Sequence, residues 1–163
     1  MVEKLRHSDK REHRSTVFEP TMDDPTLVVC PKCNKLGKVF PASQQPSLGY
    51  SMKFICTNCS FSNEKTTTER CFYWNDEDPS DSYFQYPLWL KRSCCGHSLW
   101  VFNKRHLEFL EGYVGAELRE RKKNESGWAN SSLASRLPKW IKIAKNRIKI
   151  MAGLKKVREL GGF

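Results

Sequence analysis

The sequence predicts an α+β protein in which a cysteine-rich β region with an aromatic hairpin precedes two helices. Three observations carry this prediction. Two Cys-x-x-Cys turns each follow a short apolar strand, large apolar residues alternate along a later pair of strands, and apolar residues after Asn103 recur at intervals of three and four. At 163 residues the chain is long enough for one domain or two very small ones.

Composition divides the chain into three parts. Residues 1–25 mix charges of both signs without sustained periodicity, which predicts a flexible tail or a frayed helix. Residues 26–103 contain the cysteine turns and the aromatic hairpin, and residues 104–163 form a basic helical region.

The β region is predicted from its apolar runs. The run LVV precedes Cys30 and the run MKFI precedes Cys56, while the Pro, Ser, Gln and Gly residues between these segments indicate a loop. The segments PLWLKRSC and HSLWVFN are the two arms of a hairpin with Cys95-Gly96 near its tip. We expect the large alternating side chains of this hairpin to be buried: Trp89, Leu90, Trp100 and Phe102.

Two helices are predicted after the hairpin. Asn103 is placed to cap the first helix, which runs to about Lys122 and has a buried face formed by Leu107, Leu110, Val114 and Leu118. The second helical segment spans 133–160, and Pro138 either kinks it or opens its main helix. Its predicted buried face consists of Leu137, Trp140, Ile141, Ala144, Ile148 and Met151. Its opposite face consists of Lys142, Lys145, Lys149 and Lys156.

Four of the seven cysteines have the spacing of a metal site. Cys30 and Cys33 form one Cys-x-x-Cys pair, and Cys56 and Cys59 form a second. Zinc prefers four tetrahedral ligands, and a Cys-x-x-Cys turn brings two thiolates to one ion. Four thiolates leave no open coordination position, so the predicted Zn²⁺ site is structural rather than catalytic.

The segment 30–59 resembles the zinc ribbon, a family found in transcription factors, polymerase subunits, ribosomal proteins and replication proteins. Asn34 stands where many ribbons have glycine, and asparagine also tolerates a positive φ. Residues 86–147 are similar to a group of small bacterial zinc-ribbon proteins. That resemblance implies an architecture and no established activity.

The run KRSCCGHSLW raises the question of a second site. Cys94 and His97 have a knuckle spacing that Cys71 and His106 would complete, which makes a second zinc possible. A hairpin turn with a buried thiol is the alternative, because adjacent strand residues such as Cys94 and Cys95 point to opposite faces. The third interpretation of this run is a cysteine nucleophile or redox switch, although the sequence supplies no recognisable orienting group or oxyanion site.

Charge points to a polyanionic partner. The formal net charge is +10, and residues 126–163 contribute +8 of it with Glu159 as their one acidic residue. Such a field favours a nucleic acid, DNA or RNA, bound without catalysis. The predicted contacts are the lysines of the first cysteine region and those of the last helix: Lys32, Lys35, Lys38, Lys53, Lys142, Lys145, Lys149 and Lys156.

A protein–protein adaptor that docks onto a larger nucleic-acid-processing machine is the alternative function. Exposed aromatic residues would be its anchors, namely Phe72, Tyr73, Trp74, Tyr83, Phe84 and Tyr86. The alternative interpretation is that the same residues form a small hydrophobic core. No signal peptide and no apolar run of about 20 residues is present in the sequence, so we expect a cytoplasmic protein without a membrane partner.

Overall fold

The computed structural model describes residues 6–9, 17–42, 49–68, 77–121 and 133–163, and Asp9 and residues 118–121 through their backbone alone. Within these ranges the chain has the predicted α+β class, with an antiparallel sheet followed by helices. No helix in the described ranges is long and apolar enough to cross a bilayer.

The main sheet has four antiparallel strands in sequential order. These strands are β2 (Thr26–Val29), β3 (Leu36–Pro41), β4 (Tyr50–Cys56) and β5 (Ser62–Thr67). Alternation along β4 places Met52, Phe54 and Cys56 in the interior, which is the period of two expected of a sheet with one buried face. The cysteine turns lie at the β2–β3 and β4–β5 connections.

The outer edge of β2 is covered by the segment that leads to the hairpin. Val29 donates its N–H to the Pro87 carbonyl at 2.8 Å, and Trp89 donates to the Leu27 carbonyl at 2.9 Å. Leu27 in turn donates to the Phe102 carbonyl at 2.9 Å. These bonds occupy backbone groups that a free edge strand would expose.

The aromatic hairpin is confirmed, with β6 (Lys91–Cys94) paired to β7 (His97–Trp100). Its tip is Cys95-Gly96, and both residues have positive φ, 54° and 79°. Two left-handed residues give the twist that a two-residue hairpin turn requires. Leu90 and Phe102 are buried as expected, while Trp89 and Trp100 are half-buried.

The first predicted helix is shorter than expected. Helix α1 (Lys104–Gly115) is capped by Asn103, whose side chain accepts from the His106 N–H at 3.0 Å. Ala116 is extended, and Leu118–Arg121 is strand β8, which pairs in parallel with β1 (Arg6–Asp9). The prediction of helix through Lys122 was wrong because the partner strand β1 lies more than 100 residues earlier in the sequence. Local periodicity gives no signal for such a distant pairing.

The second helical segment is divided rather than continuous. It contains α2 (Leu133–Arg136), α3 (Lys139–Lys142), a 3₁₀ turn (Ala144–Asn146) and α4 (Arg147–Gly161). Pro138 precedes α3, and Ile143 is extended, with φ −74° and ψ 123°. The extended residue changes the helical phase, so Ile148 is 82% exposed and the prediction that it packs inward was wrong. Ile150, Leu154 and Val157 form the buried face of α4 instead.

Two cores lie on opposite sides of β2, since Leu27 faces one and Val28 the other. The sheet core consists of Val28, Cys30, Val39, Met52, Phe54, Cys56, Tyr83, Leu88 and Phe102. The helical core is larger and consists of Val17, Leu27, Leu90, Leu99, Val101, Leu107, Phe109, Leu110, Tyr113, Val114, Leu133, Ala134, Trp140, Ile141, Ile150, Leu154 and Val157. Part of the segment predicted as a tail therefore contributes to the helical core, through Val17.

The hairpin packs directly on α4. A Cβ added at Gly153 would lie 2.9 Å from Leu99 Cδ2 and 3.5 Å from Cys94 Sγ, so this contact leaves no room for a side chain at that position. Arg158 also connects α4 to α1 through a bidentate ion pair with Glu111, with N–O distances of 3.0 and 2.5 Å. Hairpin and helices therefore form one packed unit.

Candidate metal centre and basic surface

The two Cys-x-x-Cys segments fold into matching turns. Cys30 donates its N–H to the Lys35 carbonyl at 2.8 Å, and Cys56 donates to the Phe61 carbonyl at 2.9 Å. The residue after the second cysteine of each pair has positive φ, 58° at Asn34 and 60° at Ser60. The positive φ predicted at Asn34 is confirmed. Ser60 was missed, although its position relative to Cys56 and Cys59 repeats that of Asn34 in the first pair.

Sheet register brings the two turns together. Gly37 on β3 is paired with Cys56 on β4, so the connections at the ends of these hairpins lie side by side. The four sulfur atoms lie within 4.8 Å of one another. Cys30 and Cys59 sulfurs are 3.8 Å apart, and those of Cys33 and Cys56 are 3.5 Å apart.

This donor set fits a tetrahedral metal ion. Zinc–sulfur bonds of about 2.3 Å place tetrahedral sulfurs about 3.8 Å apart, which is close to the separations of 3.8 and 3.5 Å in the two pairs. Backbone donors also reach the cluster, since the Lys32 N–H lies 3.4 Å from Cys30 Sγ. Such donors stabilise thiolate ligands. The predicted ligands Cys30, Cys33, Cys56 and Cys59 therefore form one group that could hold a metal ion.

The thiols of Cys56 and Cys59 differ in pKa because their surroundings differ. Backbone N–H groups, that of Cys59 foremost, lower the pKa of Cys56 to about 6. At Cys59 the Phe61 N–H acts in the same direction, but desolvation and the neighbouring thiols outweigh it and raise the pKa to about 12. Four crowded sulfurs thus resist full deprotonation unless a cation offsets their charge.

The residues proposed for a second metal site are not gathered in the same way. Within the described ranges, the one group of three or more potential ligands is the Cys30 cluster. Cys94 and Cys95 sulfurs are 3.7 Å apart, but His97 stacks on Trp140, with ring centroids 4.9 Å apart. Cys71 lies outside the described residues.

Cys94 has the environment of a packed thiol. It is half-buried at the end of β6, and its sulfur lies 3.6 Å from the Lys149 carbonyl oxygen. Desolvation, with the adjacent Cys95 thiol, raises the pKa of Cys94 to about 11. A raised pKa disfavours the thiolate that a cysteine nucleophile needs.

His106, the last member of that set, is a buried residue of α1. Its Nδ1 accepts from the Phe102 N–H at 3.2 Å, and burial lowers the pKa of the imidazole to about 3. The ring is therefore neutral at physiological pH, with its proton on Nε2.

The lysines of the first cysteine region lie on its surface. Lys32, Lys35 and Lys38 are exposed and Lys53 is half-buried. Lys32 lies over the Phe61 ring, 5.5 Å from its centroid. Lys38 and Lys53 belong to the outer face of the sheet, where Lys53 is directly opposite Phe40.

The lysines of the last segment do not form the single helical stripe that was predicted. Lys142 belongs to α3 and donates to the Ser135 carbonyl at 2.8 Å, whereas Lys145 lies in the 3₁₀ turn. Lys149 and Lys156 are seven residues apart on α4 and share one exposed face. The stripe was mispredicted because one extended residue, Ile143, interrupts the helical phase.

A hairpin residue joins these lysines. Arg92 is exposed on β6 and lines one surface pocket together with Lys156 of α4. We define the basic patch as Arg92, Lys149 and Lys156. Arg92 was not predicted, although it precedes the cysteine pair by two positions.

Of the aromatic anchors of the adaptor hypothesis, the three that the structure describes are buried or half-buried. Tyr83 is 6% exposed, and Phe84 and Tyr86 stack on each other and pack against the sheet core. The other three predicted anchors, Phe72, Tyr73 and Trp74, lie outside the described residues.

The chain matches no protein-family model, no curated protein and no solved structure. Function is therefore inferred from the cysteine cluster and the surface chemistry of the chain itself.

Proposed function

We propose that this chain is a zinc-ribbon protein that binds nucleic acid without catalysing a reaction on it. The observation that supports binding most strongly is the charge of the described C-terminal segment. Residues 133–163 contain nine Lys and Arg residues and one acidic residue, Glu159. Six of the nine basic side chains are exposed: Arg136, Lys139, Lys145, Lys149, Lys155 and Lys156.

The metal has a structural role in this proposal. Four thiolates at the ends of two hairpins leave no ligand position for water or substrate, so the bound zinc would supply folding energy. Zinc with four thiolates carries a charge of −2, which leaves the chain at about +8 from its formal +10. The protein stays basic with its metal bound.

Binding would use the basic patch and the lysines of the first cysteine region. Ammonium groups on exposed helix and sheet faces can approach phosphates without losing an internal partner. Lys142 is a weaker candidate than its exposed neighbours, because its ammonium already donates to Ser135. The half-buried Phe40 beside Lys53 offers a surface on which a base could stack.

The test is a binding titration at several salt concentrations with the double variant Lys149→Gln/Lys156→Gln. Loss of two phosphate contacts should lower affinity and reduce the slope of log K against log salt by about 2 for a duplex, and somewhat less for a single strand. Zinc content and thermal unfolding should be unchanged.

Lys65→Gln/Lys104→Gln is the matched control. It removes the same charge from ammonium groups that already interact with Tyr83 and Glu108. Equal salt slopes for both variants would show a general field effect and would contradict the basic patch. A pull-down that survives high salt, together with no nucleic-acid binding by the parent, would favour the adaptor.

A further inference from the structure

A cavity of about 300 Å³ lies between the hairpin, α1 and the short helices α2 and α3. None of the four clustered cysteines lines it. Most of its wall is apolar, and its polar side chains are Ser98, His106 and Arg136. A volume near 300 Å³ is at the small end of ligand sites and suits one ring system with a short substituent.

Aromatic rings from separate elements form the wall. Phe18, Trp100 and Trp140 all line the cavity. Phe18 packs edge-on against the His106 ring with centroids 5.1 Å apart, and His97 stacks on Trp140 with an interplanar angle of 9°. These contacts fix the orientation of the rings before any ligand enters, which lowers the entropic cost of binding a flat molecule.

The polar groups suit the edge of such a molecule. Because Nδ1 of His106 accepts from the Phe102 N–H, its Nε2–H is the donor available to a ligand. Ser98 adds a hydroxyl, which can donate or accept. A neutral ring carrying carbonyl or ring-nitrogen acceptors matches this pair, as a nucleobase does.

Positively charged side chains lie at the rim of the cavity. Arg136 is exposed and lines the cavity, and Lys139 follows it on α3, also exposed. Cations at the rim and rings within are the arrangement that binds a base through stacking and its backbone through phosphate contacts.

From these observations we infer that the cavity receives one unstacked base of a single-stranded nucleic acid. The inference rests on the proposed nucleic-acid binding and specifies its substrate class. A paired base would first have to be extruded from its duplex, at a cost that a single strand avoids. The cavity therefore gives the protein a preference for single strands, which the basic patch alone would not.

The experiment uses the full zinc-loaded chain and three probes of equal length: an eight-nucleotide oligothymidylate, the same strand with abasic sites throughout, and an eight-base-pair duplex. The parent should bind the thymidylate roughly 10-fold or more tightly than the abasic strand, and more tightly than the duplex. Leu137→Trp fills the cavity from a half-buried lining position and should remove the difference between the two strands. Leu160→Trp, at a 46% exposed position outside the cavity, should retain it.

Arg136→Gln is the second variant, because its exposed position does not threaten folding should the filled cavity do so. It should weaken binding of the thymidylate and leave thermal unfolding unchanged. Equal binding of thymidylate and abasic strand by the parent, or full binding by folded Leu137→Trp, would overturn the base site and leave the proposed function standing. Absence of salt-dependent binding to all three probes would overturn both.

Discussion

The two cysteine-bearing regions of this protein both place cysteines where two antiparallel strands are connected, with opposite results. At the sheet, two turns face each other and bring four sulfurs within 4.8 Å. At the hairpin, a single turn carries Cys94 and Cys95, and the Cys94 sulfur instead lies against the Lys149 carbonyl of the adjacent helix. Sulfur proximity within one turn is thus insufficient for a metal site, since a second turn must supply the remaining ligands.

The two hydrophobic cores also differ in whether they contain cysteines. The sheet core is small and includes two of the cysteines, Cys30 and Cys56, among its buried residues. The helical core contains apolar side chains from the hairpin, α1 and α4, and no cysteine of the described residues is fully buried in it. Stability of the sheet region should therefore depend on metal, while the helical region should be stabilised by burial of apolar area.

Cys33→Ser should have the largest effect. Removing one ligand should release the metal, and structural zinc sites contribute about 10–16 kcal/mol in small metal-dependent domains. We expect zinc to fall from one equivalent to none and amide exchange to accelerate across residues 30–65. Exchange in α1 and α4 should change much less. Full zinc content in the variant would contradict the assignment of the cluster.

Leu154→Ala tests the other core. Leu154 is fully buried on α4, so truncation should cost about 2–5 kcal/mol in the free energy of unfolding, measured by urea denaturation. Zinc content should stay at one per chain. Leu160→Ala, at a 46% exposed position on the same helix, is the control and should cost less than about 0.5 kcal/mol. Loss of zinc from folded Leu154→Ala would show that the two regions are not separable.

Acid should destabilise the helical region through His106. The folded imidazole has a pKa of about 3, whereas the unfolded one has its ordinary value near 6.5. Between these pH values the unfolded chain binds more protons than the folded chain. The free energy of unfolding that depends on His106 is therefore fully present above pH 6.5 and falls as pH drops toward 3, by at most about 1.4 kcal/mol per pH unit.

Urea denaturation at pH 7, 6 and 5 measures this effect. His106→Gln removes the titrating group and keeps an acceptor for the Phe102 N–H, so its stability should fall less between pH 7 and pH 5 than that of the parent. Zinc release affects both proteins alike, and the difference isolates His106. Parallel curves for the two proteins would refute the role of this histidine.

Sequence reasoning succeeded where the determinants are local. The spacing of the Cys-x-x-Cys pairs, the asparagine at position 34 and the cap at Asn103 each act over a few residues, and the structure contains all three features. It failed where distant segments meet. The pairing of β1 with β8 replaced the predicted end of a helix, and the phase change at Ile143 separated lysines that periodicity had aligned.

The candidate sites also divide into those set by a local motif and those formed where distant segments meet. The cysteine cluster was predictable because each Cys-x-x-Cys pair is a local motif, but Arg92 joined the basic patch only through packing of the hairpin on α4. The aromatic cavity likewise needs Phe18, the hairpin and α3 to converge. No window of the sequence contains those elements together, so periodicity and spacing could not reveal it.

The smallest effect is expected at the hairpin turn. Cys94→Ser keeps a polar atom near the Lys149 carbonyl and fits the space above Gly153, so the free energy of unfolding should fall by about 1 kcal/mol or less. His97→Ala removes the stacking contact with Trp140 and should cost about 0.5–1.5 kcal/mol. Metal analysis of both variants should still find one zinc per chain. A parent with two equivalents that falls to one on either substitution would show that the hairpin turn also binds metal, and the contrast between the two regions would then be lost.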